Sequence, residues 1–510
     1  MKSISIIKIW LIALASTAIA ACVVNPVTGA RELSIVPTSQ VIELGIQQYQ
    51  PGQQAQGGQY YLDPELTTYV NEVGQRLASA SEAYYLPYEF VVLNNGVPNA
   101  WALPGGKIAI NRGLLVELED EAQLAAVLGH EVVHAAANHG ASQMTRSTLV
   151  NLGLGVAEAL SQNSNYTGLI SAGSQLGGAA FMASYGRNDE LESDEHGMRY
   201  MAIVGYDPQA AVELQETFVR LSEGQSTDFI SGLFASHPPS QSRVDANREH
   251  VANLATGGRR NRDEYQQAIG QIVKDQPAYD AQEKAIDALS NNNADLALEY
   301  LDEAIRIQPD EGQFWELRGH AWEIKKNLSN AETAFSTAIE KNPNYFQHWL
   351  VRGLLRQEVG KNTLAQSDLE RSEALLPTST AAFALGNLAE DRGDMETAIS
   401  YYSAVASAGG DIGAAATAKV IRYELPTNPG KYIASGIGLD AQGRMVLQVR
   451  NDSGLPLNAV RVRLISRANG LSRDYVIQGV LAANQQGSVN SGIVDDPALY
   501  SLSVIQATPR

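Results

Sequence analysis

The sequence predicts a multidomain protein with three folded parts: an α+β domain, an α-helical repeat array and a C-terminal antiparallel β-sandwich. Three observations lead to this fold class. Helix-like and strand-like patterns mix up to about residue 255, prolines then recur 34 residues apart, and short runs of alternating polarity fill the chain after residue 426. At 510 residues the chain is also too long for a single hydrophobic core.

Residues 1–21 are predicted to form a lipoprotein signal peptide. A lysine-containing start precedes the apolar residues 9–18, a run too short to span a bilayer. Two endings compete: Ala18-Ile-Ala20 fits an ordinary cleavage site, whereas Ile19-Ala-Ala-Cys22 resembles a bacterial lipobox. We favour the lipobox, because it gives the single cysteine of the chain a use as the lipid-attachment residue.

Residues 22–59 are predicted to be a tether, since their Gly- and Gln-rich end is typical of a flexible segment. Val23, rather than Asp, follows the cysteine, which by the usual lipoprotein sorting rule favours the outer membrane, facing the periplasm. We therefore expect contact with the membrane through a lipid anchor. The formal net charge of −19 argues against nucleic acid as a partner.

Residues 60–255 are predicted to form the α+β domain. Residues 66–77 have a helical pattern, and residues 88–93 and 107–111 have the patterns of two strands. One hypothesis is that the second strand lies at the edge of its sheet and pairs with an extended peptide backbone. Ordinary pairing within the sheet explains the same pattern equally well.

The motif His130-Glu131-Val132-Val133-His134 lies in a helix that is predicted to begin after Asp120 and to end near Gly140. Positions i and i+4 share a helix face, so the two imidazoles can hold one zinc ion while Glu131 reaches a water molecule on it. Two ordinary buried histidines are the alternative. However, a largely apolar helix must find partners for all three polar groups, and a metal ion is the simplest partner.

A third zinc ligand is expected in the acidic stretch that follows residue 187. Glu190 and Asp194 are spaced i, i+4 on a second predicted helix and share a face. One of them can bind the metal, and the other can accept a hydrogen bond from a ligating imidazole. The spacing does not decide between them, and an acidic helix start is also ordinary.

The HExxH motif followed by Glu-x-x-x-Asp resembles the HtpX/BepA type of zinc metallopeptidase, a gluzincin family that includes the prenyl-protein (CAAX) endopeptidases. Further stretches match that family: residues 99–115, 205–208 and 236–243. The resemblance implies a zincin-like α+β fold, with His130, His134 and Glu190 as zinc ligands. It also implies that Glu131 is the general base and that Asp194 contacts one of the metal ligands without binding the metal itself. Ser193 departs from the alanine that is usual there.

Other segments of this domain are less decisive. His237 precedes two prolines on a predicted loop, and we consider two roles for it: a removable fourth ligand, or a stabiliser of the oxyanion. A packing role in the loop is equally open. His139, five residues beyond His134, is expected to face away from it on a continuing helix and to be structural. Residues 148–184 are interpreted as closely packed helices that do not span a membrane.

Beyond a polar linker, residues 256–280, the prolines Pro309, Pro343 and Pro377 lie 34 residues apart, which is the tetratricopeptide period. Residues 281–412 are therefore predicted to form a repeat solenoid. Small residues recur in register within it, at Ala297, Ala331, Ala365, Ala304, Ala338 and Ser372. Such arrays bind peptides or proteins on a concave surface, although a purely structural array has the same pattern. Residues 426–510, with alternating runs between turn signals, are predicted to form the β-sandwich.

The resemblance also implies a function: a zinc-dependent endopeptidase of the bacterial cell envelope that hydrolyses misfolded or stalled outer-membrane proteins. The repeats would recruit these protein substrates, and the outer-membrane assembly machinery is a candidate partner. The alternative is a periplasmic chaperone or assembly scaffold that acts mainly through its repeats and carries a latent protease.

Overall fold

The computed structural model describes residues 22–33, 37–143, 185–223, 232–255 and 257–510. The predicted signal peptide and the predicted packed helices of residues 148–184 lie outside these described ranges. The chain divides into two compact units, Met1–His348 and Trp349–Arg510. The division falls inside the predicted repeats, and the domain boundaries expected from the sequence stay a prediction.

The strands of the first unit form a hairpin and a mixed sheet. The hairpin pairs β1 (Cys22–Val24) with β2 (Arg31–Leu33), and the sheet has the order β3 (Glu89–Leu93), β5 (Lys107–Asn111), β4 (Ala100–Leu103). β5 runs parallel to β3 and antiparallel to β4.

The hypothesis that residues 107–111 form an edge strand is wrong, and the alternative, ordinary pairing within the sheet, is correct. β5 is the central strand, and β3 and β4 lie at the two edges. The physical reason is the turn between them: Gly105 and Gly106 have φ angles of 84° and 77°, which a glycine adopts without steric cost. This tight turn folds residues 100–103 back along β5 and covers its free side.

The helices of the first unit surround this sheet and continue into the repeats. They are α1 (Thr38–Ala55), α2 (Pro64–Ser79), α3 (Arg112–Leu115), α4 (Glu121–Ala136), α5 (Arg187–Ile203), α6 (Gln209–Glu223), α7 (Leu233–Ser236), α8 (Gln241–Val251), α9 (Arg262–Ala268), α10 (Gly270–Ser290), α11 (Ala294–Ile307), α12 (Gly312–Ile324) and α13 (Leu328–Lys341). The largest buried cluster of the unit joins α2, β3, β5, α4, α5 and α6, so α4 runs through the core.

Two segments that were expected to be connections are packed parts of this unit. Residues 38–55, expected in a flexible tether, form α1, whose Val41 and Tyr49 pack against Trp101 of β4. Residues 262–290, expected to begin in a linker, form α9 and α10. Tyr265 is fully buried in the core and donates a hydrogen bond to the carbonyl of Leu115 at 2.6 Å. Apolar residues on one face of each helix explain why these segments fold.

The α+β domain and the first repeats contact each other within this unit through buried polar groups. The carboxylate of Glu311, which is fully buried, accepts hydrogen bonds from Asn94 Nδ2 at 2.9 Å and from the hydroxyl of Tyr279 at 3.1 Å. The guanidinium of Arg112 lies 3.2 Å from the centroid of the Tyr279 ring. Glu311 of the repeats thus shares a buried network with Asn94, which directly follows β3, so these two parts are held together by specific contacts.

In the second unit, the repeat helices continue and the β-sandwich follows. The helices are α14 (Phe346–Glu358), which begins in the first unit, α15 (Asn362–Leu375), α16 (Ser379–Asp391), α17 (Met395–Val405) and α18 (Gly410–Glu424), with short 3₁₀ turns at Pro429–Lys431 and Pro497–Leu499. Within each unit a glycine lets paired repeat helices touch: a Cβ on Gly319 would lie 2.2 Å from the Phe335 ring, and one on Gly386 would lie 2.7 Å from Tyr402.

The C-terminal strands form two antiparallel sheets that share a core. They are β6 (Ile433–Leu439), β7 (Arg444–Asn451), β8 (Val460–Ser466), β9 (Ser472–Ile477), β10 (Gln486–Val494) and β11 (Tyr500–Gln506), in the orders β10-β7-β6 and β11-β8-β9. Alternate residues of β7 and β8, such as Leu447 and Val462, are fully buried in one cluster. The predicted fold class is confirmed. In the described ranges, the structure contains no helix that combines the length and hydropathy needed to cross a membrane.

Candidate metal centre

Two helices bring the candidate ligands together. Asp120 caps the start of α4, and its side chain accepts a hydrogen bond from the backbone N–H of Gln123 at 3.0 Å. The helix ends at Ala136, two residues before Asn138, where φ is 57°. α5 crosses it with backbone contact: a Cβ on Gly197 would lie 3.0 Å from the backbone nitrogen of His130. Because no side chains separate the helices there, polar residues one or two turns away meet face to face.

Four side chains converge at this crossing: His130 and His134 of α4, Glu190 of α5, and His237, which directly follows α7. One ligand atom from each lies within 4.8 Å of every other. The Nε2 atoms of His130 and His134 are 2.9 Å apart, and Nδ1 of His237 is 2.9 Å from Oε1 of Glu190. Ligands in a tetrahedron around zinc are about 3.3 Å apart when each bond is about 2.0–2.1 Å long, so these four atoms have metal-site spacing.

The orientation of His130 supports the same interpretation. Its Nδ1 lies 2.9 Å from Oδ1 of Asp194, a carboxylate that can only accept, so Nδ1 carries the proton and Nε2 presents a lone pair. That lone pair faces Nε2 of His134, and two such nitrogens at 2.9 Å require a cation or a proton between them. Burial also lowers the pKa of His134 well below its ordinary value, so this imidazole is neutral and able to bind a metal.

A buried arginine holds the two acidic residues in place. Nε and Nη2 of Arg243 donate to the two oxygens of Asp194 at 2.8 and 2.7 Å, and Nη1 lies 2.7 Å from Oε2 of Glu190. Burial by itself would raise the pKa of Asp194, but the guanidinium of Arg243 and the hydrogen bond from His130 lower it to about 2. The carboxylate that orients His130 is therefore ionised at neutral pH.

His134 is oriented by a second histidine. Nδ1 of His139 lies 3.0 Å from Nδ1 of His134, and Nε2 of His139 lies 3.4 Å from Oε1 of Glu192. The expectation that His139 faces away from His134 is wrong. It assumed a helix that continues to residue 139, whereas α4 ends at Ala136 and the left-handed backbone of Asn138 turns the chain back.

Glu131 has the environment of a proton acceptor. Its side chain is buried, and its Oε2 has no hydrogen-bond partner in the described part of the chain. Burial raises the pKa of this carboxyl above its ordinary value. A small cavity of about 40 Å³, lined by Glu131, His130 and His237 and by apolar residues of α4, α5 and α6, lies beside it. A cavity of this size has room for water, which an unpartnered carboxylate oxygen can bind.

Comparison with known proteins gives an independent finding. The peptidase family M48 matches residues 64–251. Residues 64–251 are a peptidase family M48 domain. The tetratricopeptide repeat family matches residues 283–346 and 350–412. The resemblance that was drawn from the motifs is confirmed, and so is the repeat array.

The M48 domain is similar to several curated relatives. The Beta-barrel assembly-enhancing protease of Escherichia coli (strain K12) is 29% identical over 209 residues, which cover 38% of this chain and 42% of that protein. The Mitochondrial metalloendopeptidase OMA1 of Schizosaccharomyces pombe is 34% identical over 183 residues, which cover 35% and 51%. Metalloprotease YcaL of Escherichia coli (strain K12) is 29% identical over 191 residues, which cover 36% and 72%. The chain thus spans less than half of the length of the Beta-barrel assembly-enhancing protease.

Among solved structures, the Arabidopsis OM64 TPR domain is similar to part of the chain. It is 20% identical, the match covers 23% of this chain and 98% of that domain, and the TM-score is 0.23.

Every site residue that the motifs indicated within the M48 domain lies at this crossing. His130, His134 and Glu190 form the ligand group with His237, and Asp194 contacts His130 from behind. Their catalytic and ligand roles stay predictions. Cys22 lies in β1, where only its backbone is described.

Three contacts of the M48 domain were not predicted from the sequence. Arg243 lies in a segment that matches the family, but no role was predicted for it, and His139 was expected on the wrong side of the helix. The ring of Tyr185 stacks on His134 with centroids 3.8 Å apart, and nothing in the local sequence indicated this. Of these three contacts, only that of Arg243 had a signal in the sequence, since this arginine ends the family-matching segment Ser236–Arg243.

We predict that Arg243→Met weakens metal binding, because it leaves two buried carboxylates without their cation. Loss of a group that supports metal ligands typically weakens affinity by about 10–100-fold. Competition with a chromogenic chelator measures this change. Arg248→Met is the matched control, since Arg248 lies on the same helix but is exposed and pairs with Glu216 on the surface. Equal affinity in both variants would contradict the assigned role.

Proposed function

We propose that this chain is a zinc-dependent endopeptidase. The observation that supports this most directly is the grouping of three imidazoles and one carboxylate next to a buried glutamate with a free oxygen in the described part of the chain. Histidine nitrogens with a single carboxylate oxygen are the donor set that zinc prefers, and catalytic zinc sites keep one position for water or substrate. The zinc ligands are His130, His134 and Glu190.

A zinc ion in this site supplies Lewis-acid chemistry: it polarises a carbonyl group and acidifies a water molecule to a pKa of roughly 7. The side chains of the protein transfer the proton and orient the metal ligands. Glu131 takes a proton from the attacking water and returns it to the leaving amine. Asp194 holds His130 in the tautomer that leaves Nε2 free, and Arg243 keeps Asp194 ionised and contacts Glu190.

Glu131→Gln is expected to bind zinc as the parent does but to lose peptide hydrolysis, because an amide of the same shape cannot accept the proton. General-base removal costs about 10²–10⁴-fold in rate. The measurements are zinc content by elemental analysis and cleavage of an unfolded protein substrate. Glu195→Gln, an exposed change on α5, is the matched control. Cleavage that persists at the parent rate in Glu131→Gln would refute the proposal.

His237 is proposed to act as a removable fourth ligand. Its Nδ1 lies 3.3 Å from Nε2 of His130 and 2.9 Å from Glu190, and thus occupies the position that a substrate carbonyl or a water molecule needs. Its other ring nitrogen lies 3.5 Å from Oε1 of Glu131, so the same ring also covers the general base. Movement of this ring would open both groups at once.

We predict that His237→Ala raises turnover several-fold, because it empties the fourth position permanently. The test compares kcat on an unfolded protein substrate at saturating zinc for the parent and the variant. Lower turnover would assign His237 to stabilising the oxyanion instead. No change in either direction would defeat both roles.

The proposed setting is the bacterial cell envelope, with misfolded or stalled outer-membrane proteins as substrates. The name of the Escherichia coli relative, Beta-barrel assembly-enhancing protease, supports this setting. The repeats would recruit these substrates and the outer-membrane assembly machinery. The buried contacts of Glu311 with Asn94 and Tyr279 would keep a recruited chain close to the protease domain.

A lipid on Cys22 is proposed to anchor the chain to the outer membrane from the periplasmic side. Cys22→Ser is expected to abolish labelling with a radioactive or clickable fatty acid and to move the protein from the membrane fraction to the soluble fraction. The same labelling of the parent chain is the reference. A parent chain that takes up no fatty acid would disprove the anchor.

A periplasmic chaperone or assembly scaffold that acts mainly through the repeats is the second candidate. The observation that favours it is the tetratricopeptide array, since such repeats bind proteins without any chemistry. The two functions are separated by expressing Glu131→Gln in cells that lack the protein. Full rescue of envelope assembly would favour the scaffold, and failure to rescue with normal protein levels would favour the peptidase.

A further inference from the structure

The residues that directly follow the first hairpin strand form a tight turn packed on the M48 domain. In this turn, Asn25 to Gly29, the Oδ1 atom of Asn25 accepts hydrogen bonds from the backbone N–H groups of Val27 and Thr28 at 2.9 and 3.3 Å. The carbonyl of Asn25 accepts another from Gly29 at 2.8 Å. Val27 is buried in the core cluster of the domain, and Asn25 is only 2% exposed. The turn is therefore fixed both internally and to the domain.

The amide of Asn25 reaches a residue of α5. Its Nδ2 donates a hydrogen bond to Oε1 of Glu192 at 2.8 Å, across 167 residues of sequence. The same Oε1 atom lies 3.4 Å from Nε2 of His139, whose Nδ1 lies 3.0 Å from Nδ1 of His134. A continuous chain of polar contacts thus runs from the N-terminal turn to a candidate metal ligand.

The donors and acceptors along this series of polar contacts agree with a single arrangement of the protons. If His134 binds the metal through Nε2, its Nδ1 carries the proton and donates to Nδ1 of His139. His139 then carries its own proton on Nε2 and directs it at Glu192. Oε1 of Glu192 accepts from the amide of Asn25 and lies 3.4 Å from Nε2 of His139, so the amide holds the carboxylate beside the imidazole.

The surroundings of Glu192 fit this arrangement. Its Oε1 faces two nitrogens, Nδ2 of Asn25 at 2.8 Å and Nε2 of His139 at 3.4 Å. An ionised carboxylate behind a histidine makes that imidazole a better hydrogen-bond acceptor on its other nitrogen, and hence makes the next imidazole a more basic ligand. His130 receives this support directly from Asp194, whereas His134 receives it through one intervening histidine.

We propose that Asn25 is a positioning residue for the metal ligand His134, acting through Glu192 and His139. The N-terminal turn, three residues after the proposed lipid-bearing cysteine, is then a structural part of the metal centre. This inference rests on the proposed function in one respect, namely that His134 binds zinc. Undocking of the turn removes the amide donor that holds Glu192, loosens His139 and lowers the affinity for zinc.

The first test uses Asn25→Asp in the full chain, in the Glu131→Gln background so that turnover plays no part. Aspartate keeps the Oδ1 acceptor that forms the turn, but it replaces the Nδ2 donor by a negatively charged acceptor beside Glu192. We expect zinc affinity to fall about tenfold, as is typical for groups behind a metal ligand, in competition with a chelator. The visible absorption spectrum of the cobalt-substituted protein is expected to change as well, because a tilted His134 alters the ligand field.

Two further variants keep the test specific. Thr28→Ala, an exposed change in the same turn, is the control and should leave zinc affinity at the parent value. The double variant Asn25→Asp with Glu192→Gln exchanges donor and acceptor: the amide introduced on α5 donates to the carboxylate introduced in the turn, and the amide oxygen accepts from His139. We expect the double variant to recover part of the lost affinity, because it restores the hydrogen bond between the turn and α5 but not the negative charge beside His139. A variant that merely misfolds would recover none.

The outcomes separate this inference from the proposed function. Parent-like zinc affinity and cobalt spectrum in Asn25→Asp would overturn the positioning role, and so would a double variant that binds no better than the single one. A parent chain whose zinc binding is unaffected by His130→Ala would instead overturn the proposed zinc site itself. In that case the metal ligands, not the turn, would be wrongly assigned.

Discussion

The backbone contact between α4 and α5 is the constraint on which the rest of the site depends. Helix axes normally stay 8–10 Å apart because side chains lie between them. Here Gly129 and Gly197 face each other, and a Cβ on either would come within about 3.0–3.2 Å of the opposite backbone. The absence of two methyl groups thus allows Glu190 to reach His130 and His134, whose nitrogens define the site.

Packing so many polar groups into the core creates a second requirement, which is charge balance. Three carboxylates, those of Glu131, Glu190 and Asp194, and several imidazoles are removed from water, and each needs a partner if it is not to destabilise the fold. Arg243 neutralises Asp194 and Glu190, and the pair of His139 and Glu192 performs the corresponding task behind His134. The candidate ligands are therefore held in place by neighbouring side chains, which would reduce the entropy lost if a metal ion binds there.

Sequence reasoning succeeded where a short stretch determines its own geometry. The capped helix with two histidines four residues apart, the 34-residue period of the repeats and the alternating strands were all predicted in place. It failed where a neighbour decides the outcome. The strand at residues 107–111 became central because a glycine turn folded β4 beside it. The expected tether formed α1 because Trp101 and Leu103 offered it an apolar surface.

The sequence by itself determined the chemistry that is available: which residues can bind a metal, which glutamate can act as a base, and which segments repeat. These features depend on backbone periods that hold for any chain. Only the tertiary structure decided how the residues combine, since contacts such as Asn25 with Glu192 or Arg243 with Asp194 join segments 167 and 49 residues apart. Such pairings follow from the packing of whole helices, and no local pattern encodes the distance between two surfaces.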